Sequence, residues 1–292
     1  MDAVITYVDG LDPKWQESYS KTLNVPVLEK RFRDWGTLKY LLRGIQKYMP
    51  FVDKVHLVVA LDSQVPAWVD RNEVDVVLHS DIIPQDKLPL FSSASIELFL
   101  HKIPGLSEEY IYFNDDFFPV APSFEEDFFV EGRPQISLAK HIVTGNMFKK
   151  QVKAASDFAR KAAGLRKSLI FRRPQHIAAP MLKSVCDELF DSNEAFLLGN
   201  VSPIRRDDSL CQYIYTDYVY YIGKTDRKRL SNKHFSLAAA SAEKIAAFLD
   251  NPTAKFACIN DVTMTEEKYL KTREILLDAF ERHLPEKSRF EI

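Results

Sequence analysis

The amino-acid sequence predicts a layered α/β fold with a largely parallel sheet and a more helical C-terminal half. Three observations carry this expectation. Ala3 to Val8, Val55 to Ala60, Val74 to Leu78 and Tyr110 to Phe113 are short runs rich in β-branched and aromatic residues, and read as strands. Between the first two, Leu38, Leu41, Leu42 and Ile45 recur at helical spacing. Strands alternating with helices build layered sheets, whose ligands sit beyond the carboxyl ends of the strands. The 292 residues suffice for one large domain or two intimate ones. The expected organisation is a single domain over 1–292, strand-rich in 1–130 and more helical in 131–292.

The first strand stops at Asp9-Gly10-Leu11-Asp12-Pro13, a cluster of turn formers. Asp34 is placed to cap the helix with the leucine stripe, and Pro50 ends it. The third strand runs into His79-Ser80-Asp81, Ser95 to His101 reads as helix, and the fourth strand ends in Asn114-Asp115-Asp116. Pro180 to Phe190 is expected to be helical. Asp207 or Asp208 would cap a helix carrying Leu210, Tyr213, Ile214, Tyr218 and Tyr221 on one stripe, most simply explained as core packing. An alanine-rich helix is expected from Ser236 to Leu249, closed by Asn251-Pro252. Lys255 to Ile259 is a short strand ending in Asn260-Asp261. Thr265 caps a last helix that turns Tyr269, Leu276, Phe280 and Leu284 inward.

Two strands far apart in the chain thus end in Asn-Asp. Adjacent carboxylates repel, and a cation with oxygen ligands can offset the repulsion. The plainer reading of Asn114-Asp115-Asp116 is a strand followed by a turn; the second pair at Asn260-Asp261 favours function. Asp9, Asp81, Asp115 and Asp116 all follow predicted strands and could meet in one crevice. Asp9 and Asp12 flank Gly10 in a loop that suits a base or ribose, or is a plain Asp-Gly turn. Arg31, Arg33 and Asp34 precede the first long helix, where the arginines could fork onto phosphate or pair with surface acids. His176, in Arg172-Arg173-Pro174-Gln175-His176, is a candidate general base. Arg205 and Arg206, beside Asp207 and Asp208, could neutralise a transferring phosphate or charge a helix start. Lys149 to Arg173 holds nine Lys/Arg and one acid, Asp157. That stretch is either a solvated basic face or a surface for an anionic acceptor or an acidic membrane leaflet.

A net charge of -2 gives no overall attraction to nucleic acid, and no nucleic-acid partner is expected. Cys186, Cys211 and Cys258 are too few and too scattered for a disulfide framework or a zinc site, and suit a reducing compartment. The N-terminus lacks a basic region followed by an apolar stretch, so no signal peptide is expected, and no run reaches the roughly 20 apolar residues of a membrane span. A soluble intracellular protein follows, cytoplasmic or bound peripherally at the inner face of the membrane. Phosphate-loop, Ser-His-Asp and zinc-spacing patterns are absent.

Four ordered blocks resemble the Stealth family of sugar-1-phosphate transferases, which includes bacterial capsule polymerases and the animal lysosomal-enzyme N-acetylglucosamine-1-phosphotransferase. The first is Asp2 to Pro13. The second starts at Arg31-Phe32-Arg33-Asp34-Trp35-Gly36-Thr37-Leu38-Lys39-Tyr40 and passes through Gln64 to Trp68, His79-Ser80-Asp81, Leu88 to Phe91, Ile96-Glu97 and His101 to Gly105. It ends at Asn114-Asp115-Asp116. The third is His176 with Arg205 to Asp208. The fourth is Cys258-Ile259-Asn260-Asp261 with the closing Leu284 to Glu291. Tyr7 stands where the family usually has Trp, Ser92 replaces a frequent Asn, and Ile177-Ala178 break the His-x-Pro pattern after His176.

The resemblance implies a sheet of nucleotide-sugar-transferase type and transfer of hexose- or N-acetylhexosamine-1-phosphate from a nucleotide diphosphate sugar, UDP-linked, to a sugar hydroxyl. A bacterial surface or capsular polysaccharide is the expected product, its acceptor a saccharide, polysaccharide or lipid-linked oligosaccharide, since the chain leaves no room for the animal enzyme's protein-recognition modules. By the same resemblance Asp115, Asp116, Asn260 and Asp261 hold Mg²⁺ or Mn²⁺, and His176, Arg205, Arg206 and Asp208 are catalytic. Asp9, Asp12, Arg31, Arg33, Asp34, His79, Asp81 and Asn114 line the donor site. The competing readings are a metal-dependent glycosyltransferase and a non-catalytic sugar-nucleotide or polymer-binding subunit.

Overall fold

The structure, a computed structural model, describes residues 1–26 and 32–292, so Arg31 lies outside the described residues. Its strands are β1 (Asp2–Thr6), β2 (Val55–Val59), β3 (Val74–Leu78), β4 (Glu109–Asn114), β5 (Phe117–Pro119), β6 (Phe129–Val130), β7 (Arg133–Pro134), β8 (Leu138–His141), β9 (Phe171–Pro174), β10 (Ala179–Leu182), β11 (Asn232–Ser236) and β12 (Phe256–Asn260). Helices are α1 (Pro13–Leu23), α2 (Leu38–Tyr48), α3 (His79–Ile82), α4 (Ser93–Glu97), α5 (Met147–Ala162), α6 (Lys183–Asp191), α7 (Glu194–Asn200), α8 (Tyr213–Tyr221), α9 (Ala242–Asp250) and α10 (Glu266–His283). Five strands form a mixed, mostly parallel sheet in the order β10-β4-β1-β2-β3, with β10 antiparallel to β4. The fold is α/β, as the strand and helix patterns predict.

The chain divides into two compact units. One comprises Met1–Val4, Val77–Tyr112 and Glu126–Leu230; the other comprises Ile5–Val76, Phe113–Glu125 and Ser231–Ile292. In the first unit, β8 and β9 pair antiparallel and α5 packs on β9 and α8. Tyr215, central in α8, donates to the Leu98 carbonyl at 2.6 Å and stacks edge-on against buried His101. Leu210, Tyr213, Ile214 and Tyr218 of the expected stripe are buried as core, and Tyr221 is half-buried. The buried Asp217 carboxyl of α8 is held well above the usual carboxylate range by burial.

In the second unit, a three-stranded sheet runs β11-β12-β5, with β11 parallel and β5 antiparallel to β12. Helix α2 crosses β5 so closely that a Cβ on Gly44 would lie 2.5 Å from the Pro119 carbonyl oxygen, so only glycine fits there. Tyr40 of α2 stacks on Phe280 of α10 at 5.1 Å, and Phe280 meets Phe118 of β5 at 4.7 Å. The Arg43 side chain, 6% exposed, binds both Glu291 oxygens at 2.9 and 3.0 Å, Glu281 at 3.1 Å and the Leu284 carbonyl at 2.8 Å. This fork explains the closing Leu284 to Glu291 block: the chain end is tied to α2 by a buried bidentate pair.

Several local expectations are corrected. Asp34 does not cap α2; it accepts from Gly36 N at 2.8 Å in a turn with Gly36 at φ +70°, and Thr37 is the cap position. Residues 180–182 are strand, not helix: Pro180 pairs with Ile111 on the sheet's edge strand, where its missing N–H is tolerated, and helix starts at Lys183. Asp207 and Asp208 cap nothing, because α8 begins only at Tyr213; they pair with Lys150 at 2.6 Å and Arg206 at 3.1 Å. The Ser236 to Leu249 helix is shorter, since 232–236 joins β12 as a strand and Ser241 caps α9. The helix expected over 95–101 covers Ser93–Glu97, followed by a 3₁₀ turn. Thr265 caps α10, as its sequence predicts.

Arg43→Ala would leave Glu291 buried without its cation, held only by the Ser288 N–H and hydroxyl. A loss of about 3–5 kcal/mol is expected for breaking such a pair, read as a lower denaturant midpoint. A midpoint within error of the parent's would mean that the fork does not hold the chain end.

Candidate functional site

The acids gather in the second unit because strand ends place them there. β4 delivers Asn114 and then Asp115-Asp116, and β12 delivers Asn260-Asp261. The Asp116 carbonyl accepts from Ile259 N at 3.0 Å, which fixes the two strand ends to each other. Asp115, Asp116, Asp34 and Asp261 are half-buried. Burial pushes the Asp115 carboxyl up to about 7, with Asp116, Asp34 and Asp261 adding repulsion. Burial also pushes Asp116 up to about 6, although the Cys258 thiol and the Asn260 amide offset part of the rise. Asp34 and Asp261 are raised too, first by burial.

The donor set fits a hard cation. Asp116 Oδ1 is buried with no hydrogen-bond partner, while its Oδ2 accepts from Cys258 Sγ at 3.6 Å. Burial and the adjacent Asp116 push the Cys258 thiol far above its usual range. The acids supply carboxylate oxygen, the ligand that Mg²⁺ and Mn²⁺ take.

Nitrogen donors lie beside the acids. Arg33 Nη2 holds Glu266 at 2.8 Å and its guanidinium lies 4.5 Å from the Tyr269 ring centroid, yet its Nη1 is buried without a partner. Trp35 Nε1, also buried, is directed at Asp261, and its hydrogen bond to that carboxyl offsets part of the rise that burial causes there. Arg273 attracts Asp34 and makes no hydrogen bond or ion pair among the described residues. A Cβ on Gly36 would come within 2.8 Å of its Nη2, so glycine lets the Asp34 turn settle against that guanidinium. The Tyr269 hydroxyl donates to the Asp34 carbonyl at 2.7 Å and its ring meets Trp35 edge-on at 4.9 Å, so α10 anchors the segment that carries Arg33 to Trp35. Tyr7, beside Asp34, Asp9 and Asp115, is held in its neutral phenol form by burial and then by those acids.

The other sequence candidates have definite places. Asp9 Oδ1 accepts from Leu11 N at 2.8 Å, and Gly10 sits where a Cβ would be 2.1 Å from the Phe32 carbonyl oxygen. Asp12 is buried and caps α1 through Trp15 N at 2.7 Å. Asp81 accepts from Leu78 N at 2.8 Å, and His79 is buried, its imidazole pushed down to about 4. In the first unit, His176 Nδ1 meets the Tyr213 hydroxyl at 3.1 Å and its ring packs edge-on against Phe148. Arg205 Nη2 donates to Ser93 Oγ at 2.5 Å, and Arg206 binds Asp208 and the Asn200 carbonyl. Buried Glu97 accepts from Gln212 N at 3.2 Å and from the Tyr112 hydroxyl at 3.3 Å. Trp35, Tyr269, Arg273 and Cys258 are not among the site residues expected from the sequence. Glu266, Tyr269 and Arg273 do share a helical face at i, i+3 and i+7, which is the pattern that could have found them.

Neutralising one acid should relieve the repulsion. Without added metal, Asp115→Asn is expected to melt about 2–4 °C or more above the parent at pH 8, a change of about 1 kcal/mol. The sign follows from the raised carboxyls: in the parent they are charged at pH 8 and take up protons as pH falls through about 7 and about 6. The difference between variant and parent should therefore shrink toward pH 5. Melting curves across that range check it; a variant less stable than the parent at pH 8 would count against stored repulsion.

A family model described as Stealth protein CR2, conserved region 2, matches residues 31–136. The chain is 33% identical to the capsular polysaccharide phosphotransferase WcwK of Streptococcus pneumoniae, over all of this chain and 99% of that one. It is 32% identical to the receptor polysaccharide phosphotransferase WefC of Streptococcus oralis, again over all of this chain and 99% of that protein. The exopolysaccharide phosphotransferase cps2G of Lactiplantibacillus plantarum is 42% identical over 49% of this chain and 43% of its own. Among solved structures, the galactosyltransferase LgtC in complex with donor and acceptor sugar analogs is 11% identical at a TM-score of 0.40, covering 94% of this chain and 95% of that one. That likeness is too slight to bear on the site. On its full-length relatives and its matching conserved region, the chain belongs to the Stealth family of bacterial polysaccharide phosphotransferases, and it is a transferase.

Proposed function

We propose that the protein transfers hexose- or N-acetylhexosamine-1-phosphate from a nucleotide diphosphate sugar, UDP-linked, to a sugar hydroxyl of a bacterial surface or capsular polysaccharide. The observation that carries this reading is the presence, in one unit, of an orphaned buried carboxylate oxygen, Asp116 Oδ1, and an orphaned buried donor, Arg33 Nη1. A diphosphate bridged by a divalent cation has the complementary chemistry: negative oxygens for the N–H groups and a positive ion for the acids.

In this reading the acceptor oxygen bonds to the β-phosphorus, the bond from that phosphorus to the bridging oxygen breaks, and nucleoside monophosphate leaves with the electron pair. Asp115 and Asp116, with Asn260 and Asp261, would hold Mg²⁺ or Mn²⁺, which when bound neutralises charge on the diphosphate. Arg33 binds phosphate oxygens and orients the diphosphate, and Arg273 adds positive charge beside Asp34. Asp9 serves the nucleotide end. Asp12 contributes through the helix start it caps, Asp81 through the Leu78 N–H it accepts from, and His79 as a buried neutral imidazole. His176 takes the acceptor proton; its Nδ1 contact to Tyr213 gives it an orienting partner in place of Asp208, whose carboxylate pairs with Arg206. Arg205 and Arg206 supply positive charge for the departing phosphate.

Product analysis tests the reaction class. With a panel of nucleotide sugars and Mg²⁺, phosphorus should appear in the acceptor product and nucleoside monophosphate in solution. A phosphorus-free product with nucleoside diphosphate released would identify glycosyl transfer instead. Asp116→Asn should abolish turnover with the fold intact, and near-normal turnover would sink the metal role. Arg33→Ala should lower kcat/KM by about 10²–10³, the usual effect of losing a charge-stabilising donor. His176→Ala should lower kcat far more than donor affinity; a change mainly in donor binding would remove it as the base.

A further inference from the structure

In the first unit, exposed apolar and basic side chains occur together at one end of the β8–β9 ladder. Because His141 lies opposite Phe171 in the β8–β9 ladder, Ile142-Val143 leave and Leu169-Ile170 enter at the same end of it. These four side chains are exposed, from 43% at Ile170 to 82% at Leu169. Single exposed aliphatics are ordinary, but a cluster at one tip is the mark of an interaction surface.

Exposed cations lie in the segments that lead into this tip. Lys140, Lys161, Arg166 and Lys167 are exposed and have no acid partner among the described residues. Other cations of the basic stretch are engaged: Lys150 with Asp207, Lys153 with Asp157, and Arg160 with the Arg166 carbonyl at 3.0 Å. That last bond steadies the segment presenting Arg166 and Lys167. Arg173 and Lys149 add positive charge beside His141, whose imidazole is pulled below its usual range first by burial and then by these two cations. No helix among the described residues is long and apolar enough to cross a membrane.

We infer that this tip docks on the surface of an anionic lipid bilayer, with Ile142, Val143, Leu169 and Ile170 entering the boundary of headgroups and acyl chains and the four cations facing lipid phosphates. The charge pattern selects this partner. An acidic polysaccharide would use the cations and leave the aliphatics in water, whereas a neutral apolar partner would leave the cations uncompensated; an anionic bilayer uses both. The inference does not depend on the reaction proposed above.

Co-sedimentation of the full chain with vesicles tests it. Binding to phosphatidylcholine vesicles containing phosphatidylglycerol should be at least tenfold tighter than to phosphatidylcholine alone and should weaken with salt. Each basic residue near such a surface is worth roughly a fivefold change in partitioning, so Arg166→Glu with Lys167→Glu should lose more than tenfold. Leu169→Ser with Ile170→Ser should lose about tenfold or more with far-UV circular dichroism and melting temperature unchanged, both sites being exposed. No preference for anionic vesicles, or undiminished binding by the Leu169→Ser, Ile170→Ser variant, would overturn the inference. So would a parent chain that ignores vesicles but is retained on heparin, with retention lost on charge reversal, because the surface would then serve a polyanion.

Discussion

Like charge held partly out of water is the constraint around which the second unit is organised. Asp115 and Asp116 are neighbours in the chain and cannot separate; Asp34 and Asp261 add to the same field. A chain free to relax would turn these groups outward. Here the Asp116 carbonyl is locked to Ile259 N, and the strand ends hold the carboxylates together. Stored repulsion of this kind must be offset elsewhere. The surrounding unit offers a buried Arg43 fork to Glu291, aromatic stacking of Tyr40, Phe118 and Phe280, and a helix crossing tightened by Gly44. The repulsion also explains why a divalent cation would be welcome at these groups.

The nitrogen donors follow a second constraint. Buried N–H groups are nearly always satisfied, and Arg33 Nη1 is not. Arg33 belongs to a segment that α10 anchors through Tyr269, so it cannot swing away to find water. An unpaired acid oxygen and an unpaired donor, each fixed by packing, are complementary to a ligand that carries both signs of charge. The proposed metal-bound diphosphate is such a ligand. The tip of β8 and β9 has a different physical logic, because its groups are fully accessible and act by partitioning rather than by fixed geometry.

How much was legible depended on the range of the interactions involved. The strands ending in Asn114 and Asn260 were readable because each is a short apolar run with turn formers behind it. The cap at Thr265 was readable because a threonine precedes two glutamates and a periodic stripe. Asp34, Asp207 and Asp208 were misassigned as caps, since a short acid can satisfy a helix start, a turn or a lysine equally well and only the backbone path decides which. Pro180 suits a helix start, but it lies on an edge strand whose neighbour, β4, is far away in sequence. The Asn232–Ser236 strand, with one inward phenylalanine among polar residues, acquires its identity only by pairing with β12.

The amino-acid sequence by itself determined the α/β class, the two strand-end acid pairs and the order of the blocks that mark the family, because periodicity and residue type act over a few positions. Tertiary structure decided which of those groups face one another. It joined Asp116 to the β12 end, brought Arg33, Trp35 and Arg273 beside Asp34 and Asp261, and turned Asp12 and Asp81 to capping. Burial raised the carboxyls at positions 115 and 116, and burial is a property of the packed chain that no local pattern encodes.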